Sequence, residues 1–444
     1  MRTWSPTSWQ TFSYQQAPSY PDKNLLTHVV TQLSLLPPLV SHGEVTKLKK
    51  AIASAGRGEA FILQGGDCAE SFQDCRASII TNKLKILLQM SLLLLHGMRR
   101  PIIRIGRIAG QYAKPRSSDF ETIDNMTLPS YRGDLVNLVH FDTQSRTPNP
   151  KLLLQGYSCA AMTLNFIRAL LDGGFADLHH PQQWDLGFLQ LSPQADEYHA
   201  IVHSIADSLD FLEIIEGIRE SSLNKVDFYT SHEALHLHYE QALTRQLEEK
   251  QWYDSSTHLP WIGMRTAKID SAHVEFLRGV NNPIGIKIGP STELADLKKM
   301  IRILNPTHEE GRLLLITRLG AHHIAALLPP IIETVQATKI PVTWSCDPMH
   351  GNTETTKEGI KTRHFDTILS ELLQAVRIHR NLGGCLGGVH FELTGDDVTE
   401  CIGGARGLIG DDLTRAYHSL VDPRLNYEQS LEMAIQLSRQ WRMI

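Results

Sequence analysis

Four side chains of this sequence could together bind a metal ion. They are Cys68, His350, Glu392 and Asp422. One thiolate, one imidazole and two carboxylates form a mixed set of sulfur, nitrogen and oxygen donors, which suits Mn, Co, Fe or Zn better than Mg or Ca. A divalent ion that keeps a position for substrate acts as a Lewis acid. Taken singly, Cys68 would also suit a small core position and Asp422 a turn cap, so the predicted metal site depends on the four lying together.

A second group of residues carries positive charge. Its members are Arg107, Lys114, Arg265, Lys287 and Arg318. The arginine fork binds phosphate and carboxylate groups through two parallel hydrogen bonds, and lysine adds a point charge. One such residue alone would more often be a solvated end or a salt bridge. Their recurrence after successive apolar runs predicts a site for an anion, although the net charge of the chain is -5.

Both groups follow short apolar runs. Eight runs are evident, and they begin at Phe61, Ile102, Asp227, Trp261, Ile284, Leu313, Val342 and Gly388. They lack clean alternation and are separated by amphipathic helical stretches, a pattern typical of parallel strands buried on both faces. Eight such strands predict a (β/α)8 barrel, whose active site lies at the carboxyl ends of its strands. Since strands one, seven and eight are adjacent in a closed barrel, the four metal-binding candidates can meet there.

Two additions to a minimal barrel are expected. Residues 1–59 precede the first strand and are rich in aromatic residues, which predicts an ordered arm packed on the barrel of residues 60–444. The connection between strands two and three is too long for one helix. Helical periodicity over Met162–Leu171 and Asp196–Ile215 predicts a helical insertion at about 150–225. Such an insertion would serve as an oligomer interface or a regulatory site, or would only fill space.

Composition excludes several classes of protein. The 43 Lys and Arg residues are outnumbered by 48 Asp and Glu residues, so nucleic acid is not an expected partner. Six cysteines without a Cys-x-x-Cys pair predict reduced thiols and a cytoplasmic protein. The apolar stretch Leu84–Met98 contains Lys85 and is shorter than the roughly 20 residues of a membrane span. We therefore expect it to be the first barrel helix, with no membrane association, and the first residues lack the pattern of a secretory signal.

With these residues assembled, the sequence resembles the class II (plant-type) 3-deoxy-D-arabino-heptulosonate 7-phosphate (DAHP) synthases from end to end. The likeness rests on the segments Leu63-Gln-Gly-Gly-Asp-Cys-Ala-Glu-Ser-Phe, Pro129-Ser-Tyr-Arg-Gly-Asp, Asp347-Pro-Met-His-Gly-Asn-Thr and Glu392-Leu-Thr-Gly. The resemblance implies condensation of phosphoenolpyruvate with erythrose 4-phosphate and water, which releases phosphate and begins the shikimate pathway.

The resemblance also assigns roles. It makes Cys68, His350, Glu392 and Asp422 the metal ligands, with Mn²⁺ or Co²⁺ expected and Zn²⁺ or Fe²⁺ as alternatives. It assigns phosphoenolpyruvate binding to Arg107, Lys114, Met264, Arg265, Lys287 and Arg318, and catalytic roles to Lys114, Arg107 and His350. It further implies a homo-oligomer, either dimer or tetramer, an aromatic effector, and a chorismate mutase partner as in some relatives.

Three positions depart from the family pattern. Met264 replaces the acidic residue that usually precedes Arg265, Val421 replaces a cysteine often found before Asp422, and the segment Gly320-Ala-His-His replaces Gly-Asn after Arg318. The first change removes a carboxylate that could position water. Two alternatives therefore stay open, namely a related synthase that uses another phosphosugar acceptor and a regulatory barrel of low activity. A metal-dependent amidohydrolase is disfavoured, because its His-x-His motif is replaced here by Asp67-Cys68.

Overall fold

The eight predicted strands form a closed barrel. The computed structural model describes residues 3–175, 195–204, 226–247 and 251–443. The strands in these ranges are β1 (Phe61–Gly66), β2 (Ile102–Arg107), β3 (Phe120–Ile123), β4 (Met126–Pro129), β5 (Phe228–Glu233), β6 (Thr244–Gln246), β7 (Trp252–Asp254), β8 (Leu259–Ile262), β9 (Ile284–Ile288), β10 (Leu313–Thr317), β11 (Thr343–Cys346), β12 (Glu354–Thr355), β13 (Lys361–Thr362) and β14 (Gly388–Glu392). Pairing runs in the order β1, β2, β5, β8, β9, β10, β11, β14 and back to β1, and all eight pairings are parallel. The predicted (β/α)8 barrel is confirmed.

Helices surround the barrel. Those with defined bounds are α1 (Lys23–Ser34), α2 (His42–Gly56), α3 (Ala77–Met98), α4 (Thr143–Arg146), α5 (Lys151–Asp172), α6 (Leu237–Leu243), α7 (Ala272–Leu277), α8 (Leu294–Leu304), α9 (Ile324–Gln336), α10 (Phe365–Asn381) and α11 (Tyr427–Met443). Residues 195–204 are also helical. The remaining strands pair as the antiparallel hairpins β3–β4, β6–β7 and β12–β13.

The apolar stretch Leu84–Met98 lies in α3, the helix between β1 and β2, as predicted. Within the described ranges α3 is the one helix long and apolar enough to cross a membrane, yet 67 % of its apolar stretch is buried inside the protein. Its Gly97 lies against Ser438 of α11, since a Cβ added there would be 2.2 Å from the Cβ of Ser438. The apolar composition of α3 is explained by contact with both the barrel and α11.

Helix α2 closes the amino-terminal end of the barrel. It begins with a capping box, in which the Ser41 side chain accepts from the backbone N–H of Glu44 and Glu44 accepts in return from the N–H of Ser41. Its apolar face carries Leu48 and Ile52, which are fully buried and pack with residues near the start of several strands, such as Ile62 of β1. The segment predicted as an arm therefore also supplies the floor of the barrel.

The rest of the predicted arm packs on the outside of the barrel. Trp9 is buried and its Nε1 donates to the side chain of Gln241 in α6, 3.0 Å away. Trp4 donates from its Nε1 to the carbonyl of Glu275 in α7, also at 3.0 Å. These contacts account for the aromatic content of the first residues.

The long connection after β2 contains the β3–β4 hairpin, α4 and α5. Helix α5 begins earlier than the periodicity over Met162–Leu171 indicated, and its Leu170 and Leu171 pack against Leu84 and Leu88 of α3. It therefore lies beside α3 in the layer around the barrel. Part of the second predicted helix is helical over 195–204, while 205–215 lies outside the described residues, so the full extent of the insertion stays a prediction.

We expect Gly97→Ala to destabilise the protein, because its new methyl group would overlap Ser438 of α11. Overpacking of this kind costs about 1–3 kcal/mol, more than alanine regains through helix propensity. The measurement is the midpoint of thermal or urea unfolding. Gly43→Ala in α2 is the matched control, because the nearest atom to its added Cβ is 3.9 Å away. An unchanged midpoint for Gly97→Ala would contradict the packing described.

Candidate active site

A cavity of about 350 Å³ opens at the carboxyl ends of the barrel strands. Its walls include the predicted residues Cys68, Arg107, Lys114, Met264, Arg265, Lys287, Arg318, His350 and Asp422. Glu392, the remaining predicted site residue, ends β14 and is fully buried beneath them. Closure of the barrel thus brings the predicted residues from distant parts of the chain to one cavity.

A larger cavity of about 960 Å³ lies beside α2, toward the opposite end of the barrel. Its Lys49 is ion-paired with Glu309 and its Arg57 with Glu310. These lysine and arginine charges are already balanced by neighbouring carboxylates, and no predicted site residue lines this cavity. The smaller cavity is the better candidate for an active site.

Three of the four predicted metal ligands lie within mutual reach. Cys68, Glu392 and Asp422 each offer a donor atom, and these atoms lie within 4.8 Å of one another. His350 approaches from β11, with its Nε2 3.0 Å from Glu392 Oε1. Its Nδ1 lies 2.7 Å from Asp347 Oδ2, which orients the ring. A histidine held by a carboxylate through one nitrogen, with the other facing a donor cluster, is the usual arrangement of a metal-binding histidine.

The carboxylate of Glu392 is fully buried yet ionised, because positively charged side chains surround it. Its carboxylate contacts Arg363 Nη1 at 2.7 Å and Arg107 Nη2 at 3.2 Å. Burial raises the pKa of Glu392, but His350, Arg363 and Arg107 outweigh burial and hold the pKa well below its usual range. The carboxylate is therefore ionised and available as a ligand at neutral pH.

Cys68 differs from Glu392 in its protonation. Burial, followed by the nearby charge of Glu392, raises the pKa of this thiol well above its ordinary value. A metal ion binds the thiolate, so binding would have to displace the proton. Lys114 Nζ contacts Cys68 Sγ and lies 2.6 Å from Asp422 Oδ2. An ammonium group among these donors shows that the cluster favours positive charge.

The predicted cations Arg107, Arg265, Lys287 and Arg318 line another side of the same cavity, here called the cation wall. Arg318 donates from Nη2 to the carbonyl of His350 at 2.7 Å. Arg107 pairs through Nη1 with His390 Nε2 at 2.7 Å and lies over the ring of Trp261. The buried Nε atoms of Arg107 and Arg318 have no hydrogen-bond partner among the described residues.

Lys287 and Arg265 complete this wall. Lys287 contacts Asp347, which also holds His350, so one buried carboxylate joins the cation wall to the donor cluster. Burial lowers the pKa of Lys287 to about 8, although Asp347 opposes the change. Arg265 is exposed at the rim of the cavity. The cation wall therefore combines buried and solvent-accessible charges.

Glu233 is a site residue that the sequence prediction did not include. It ends β5 and lines the cavity, and its Oε1 has no hydrogen-bond partner among the described residues. Gly263 leaves room for this carboxyl, since a Cβ at that position would lie 2.0 Å from Glu233 Oε1. Burial raises the pKa of Glu233 against the opposing charges of Lys114 and Lys287. His232 precedes Glu233 in the same strand, but its Nε2 lies 3.0 Å from Glu240 Oε1, away from the cavity lining.

Met264 lies where the family pattern has an acidic residue. Its sulfur is 2.8 Å from Arg318 Nη1 and packs over Gly289, where an added Cβ would lie 2.1 Å from it. The carboxylate that is lost at this position has a counterpart in Glu233, which projects into the same cavity from β5.

Lys361 and Arg363 were also missed. Lys361 belongs to the short strand β13, lines the cavity and lies 3.0 Å from Asp422 Oδ1. Arg363 is the first residue after β13 and contacts Glu392. Neither residue stands at the end of a barrel strand, so the pattern that identified the other cations could not find them.

Comparison with known proteins identifies the family of this chain. The profile of the Class-II DAHP synthetase family matches residues 4–438. Two curated proteins named phospho-2-dehydro-3-deoxyheptonate aldolase are similar along almost their whole length. The one from Neurospora crassa is 46 % identical over 99 % of this chain and 94 % of its own. The one from Streptomyces coelicolor is 45 % identical over 98 % of this chain and 97 % of its own.

Solved structures also show a likeness to this chain. A DAHP synthase from Thermotoga maritima aligns over 86 % of this chain and 68 % of its own, with 12 % identity and a TM-score of 0.36, too low to support any argument. The family profile and the two curated relatives instead decide the identity, and they confirm the resemblance stated from the sequence. This chain belongs to the class-II DAHP synthetase family and is an enzyme of the DAHP synthase type, which acts in aromatic biosynthesis.

Proposed function

We propose that this cavity condenses phosphoenolpyruvate with D-erythrose 4-phosphate and water, in a metal-dependent reaction that yields DAHP and inorganic phosphate. The observation that carries the proposal is one cavity with two chemically distinct walls. One wall presents Cys68, His350 and Asp422 above Glu392, and the other presents the cations of β2, β8, β9 and β10. A phosphorylated enol and an aldehyde need such a pair of walls, one for anionic groups and one for a carbonyl oxygen.

The cation wall suits phosphoenolpyruvate. That molecule carries a phosphate and a carboxylate, and both are recognised by arginine forks and lysine charges. Arg265, Lys287 and Arg318 come from consecutive barrel strands, and Arg107 adds a buried guanidinium from β2. Arg107 and Arg318 both line the cavity, and each has a buried Nε without a hydrogen-bond partner among the described residues. We assign these four residues, with Lys114 and the wall around Met264, to phosphoenolpyruvate.

The donor wall suits a divalent cation. Cys68, His350, Glu392 and Asp422 would hold it, and their mixed donor set fits Mn²⁺ or Co²⁺, with Zn²⁺ or Fe²⁺ as alternatives. When bound, the ion would supply Lewis-acid polarisation of the aldehyde carbonyl of erythrose 4-phosphate. The fit is supported by the cluster itself, in which three donor atoms converge and an ammonium group already lies against two of them.

The residues of the chain then orient the reacting atoms. C3 of phosphoenolpyruvate forms a bond to the aldehyde carbon, water adds at C2, and the C2–O bond to phosphate breaks. Lys114 lies where the donor wall meets the cation wall. Burial lowers the pKa of Lys114, but Cys68 and Asp422 outweigh burial and raise the pKa above its usual value. The ammonium group therefore stays charged and can donate to an oxygen that gains negative charge. Glu233 provides a carboxyl group that can accept a proton from the attacking water.

Assembly and regulation are inferred from family likeness, and the cellular compartment from the cysteine pattern. We infer a cytoplasmic homo-oligomer, a dimer or tetramer, under control by an aromatic effector, with chorismate mutase as a partner in the manner of some relatives. None of these inferences enters the chemistry of the cavity.

The proposed reaction is tested by phosphate release from phosphoenolpyruvate with erythrose 4-phosphate, before and after chelation and with Mn²⁺ restored. We expect Cys68→Ser to lose most chelator-sensitive activity, because the hydroxyl is a poor substitute for a thiolate ligand, and to bind Mn²⁺ more weakly. Cys385→Ser is the matched control, since that thiol contacts the carbonyl of Gly56 at the amino-terminal side of the barrel. Preference for another aldose phosphate would favour the related synthase, and no turnover with any metal would favour a regulatory barrel.

The pKa of Lys287 predicts the alkaline limb of the pH profile. With a pKa of about 8, Lys287 is charged below that pH and neutral above it. The affinity of the free enzyme for phosphoenolpyruvate should therefore fall as pH rises through this value. We expect kcat/KM for phosphoenolpyruvate to decrease by about tenfold per pH unit beyond the pKa. Lys287→Arg should lower kcat/KM but remove this limb, because guanidinium stays protonated. A parent profile that stays flat in this pH range would contradict the assignment.

The role of Glu233 is tested by Glu233→Gln, which keeps shape and removes the charge. We expect kcat to fall by about 10²-fold, in the range of general acid–base effects, with KM for phosphoenolpyruvate little changed. Adding Met264→Glu to this variant should recover part of kcat, because the new carboxyl enters the same cavity from β8. Full activity of Glu233→Gln alone would show that water needs no carboxylate from this residue.

A further inference from the structure

Two donors of the proposed metal site come from segments without regular secondary structure. Cys68 follows β1, and Asp422 lies in the irregular segment between Leu413 and α11. The two residues are 354 positions apart, yet Cys68 Sγ lies 3.4 Å from Asp422 Oδ2. Loops hold donors less rigidly than strands do, so other residues must fix the relative position of these two.

Glu400 fixes the segment that carries Asp422. This carboxylate is fully buried and accepts from the backbone N–H groups of His418, Ser419 and Arg424, at 3.1, 2.8 and 2.8 Å. Ser419 in turn donates from its hydroxyl to the carbonyl of Asp422 at 2.6 Å. Backbone N–H groups on both sides of Asp422 therefore donate to the same carboxylate, that of Glu400.

Arg424 joins this segment to the loop of Cys68. Its guanidinium makes two bonds to Glu400, from Nε at 3.0 Å and from Nη2 at 2.7 Å. Nη1 donates to Asp67 Oδ1 at 2.6 Å, and Asp67 immediately precedes Cys68. Asp67 is buried, and its other oxygen contacts the buried Lys83 of α3. The chain of contacts therefore runs from the Asp422 segment, through one guanidinium, to the backbone neighbour of Cys68 and on to a helix.

We propose that Arg424 is a positioning residue that sets the spacing between the metal ligands Cys68 and Asp422. This inference rests on the proposed function of the cavity. Arg424 does not belong to the residues that line the cavity within the described chain, so it acts through its two carboxylate partners. The planar fork of arginine matches Glu400 and Asp67 at once, which a lysine ammonium cannot do. A cation here serves the geometry of the site without touching the ion or the substrates.

A purely structural role would lead to a different result from a positioning role. If Arg424 only neutralised Asp67 and Glu400, its loss would lower stability without affecting metal binding in the protein that remains folded. If it sets ligand spacing, its loss should weaken metal binding even where the fold is intact. Outer partners of metal ligands typically contribute 10- to 100-fold to metal affinity.

The experiment measures the dissociation constant for Mn²⁺ by competition with a fluorescent chelator, in the full-length enzyme and in Arg424→Lys and Arg424→Ala. We expect both variants to bind Mn²⁺ about 10- to 100-fold more weakly. Saturating Mn²⁺ should return kcat of Arg424→Lys close to the parent value. Millimolar guanidinium should restore part of the affinity of Arg424→Ala, since the free ion can occupy the space between Asp67 and Glu400.

Arg406 offers the matched control. It pairs with Glu428 at 2.6 Å and with Asp397 at 3.0 Å, in the same part of the fold but away from the donors. Arg406→Lys and Arg406→Ala should leave the Mn²⁺ dissociation constant unchanged, and guanidinium should not alter it. The midpoint of thermal unfolding without metal separates loss of fold from loss of affinity in each variant.

A double-mutant cycle with Asp67→Asn tests the link itself. Because both substitutions break the same connection, the effects of Asp67→Asn and Arg424→Lys on Mn²⁺ affinity should not add. Parent-like affinity in both Arg424 variants, with Cys68→Ser impaired, would overturn this inference and leave the proposed function intact. A parent enzyme that binds no Mn²⁺ and forms no product would instead overturn both.

Discussion

The burial of ionised Glu392 at the end of β14 is the constraint on which the site depends. A carboxylate without solvent would ordinarily take up a proton, because burial penalises the charged form. Here Arg107, Arg363 and His350 approach it from three other parts of the chain and keep it charged. Each of these residues has a second role. Arg107 belongs to the cation wall, Arg363 donates to the carbonyl of Pro423 in the loop before α11, and His350 belongs to the donor cluster. The charge of one carboxylate therefore ties the walls of the cavity together.

Charge pairs across the site extend this arrangement. Asp347 lies between Lys287 and His350, and Asp422 lies between Lys114 and Lys361. Removing one partner from such a buried pair leaves an uncompensated charge, which is far more costly than losing a surface pair. The cavity is consequently polar, as the proposed binding of two phosphorylated molecules and a cation requires. Met264 is an apolar exception on this wall, and Glu233 restores a carboxyl nearby.

The barrel and most of the site could be predicted from the sequence because both follow one rule. Parallel strands buried on both faces read as short apolar runs, and closure of the barrel places their carboxyl ends together, so Cys68, Lys287 and Glu392 are found from local sequence. Glu233 could not be separated from His232, because which of two consecutive residues faces the cavity depends on strand register. Lys361 and Arg363 come from a hairpin outside the barrel order, and the bridge from Arg424 to Asp67 joins residues whose contact no local pattern encodes.

Helix α2 has a consequence for how the chain acquires its structure during synthesis. It leaves the ribosome before any strand has been made, yet the surface it covers belongs partly to the last strands. The hydroxyl of Thr343 in β11 donates to the carbonyl of Ile52 at 2.9 Å, and the thiol of Cys385, just before β14, lies 3.3 Å from the carbonyl of Gly56. These two contacts of α2 can form only after β11 and the residues just before β14 have been synthesised. A helix that precedes the barrel strands in the chain therefore completes its packing only after most of the barrel has been synthesised.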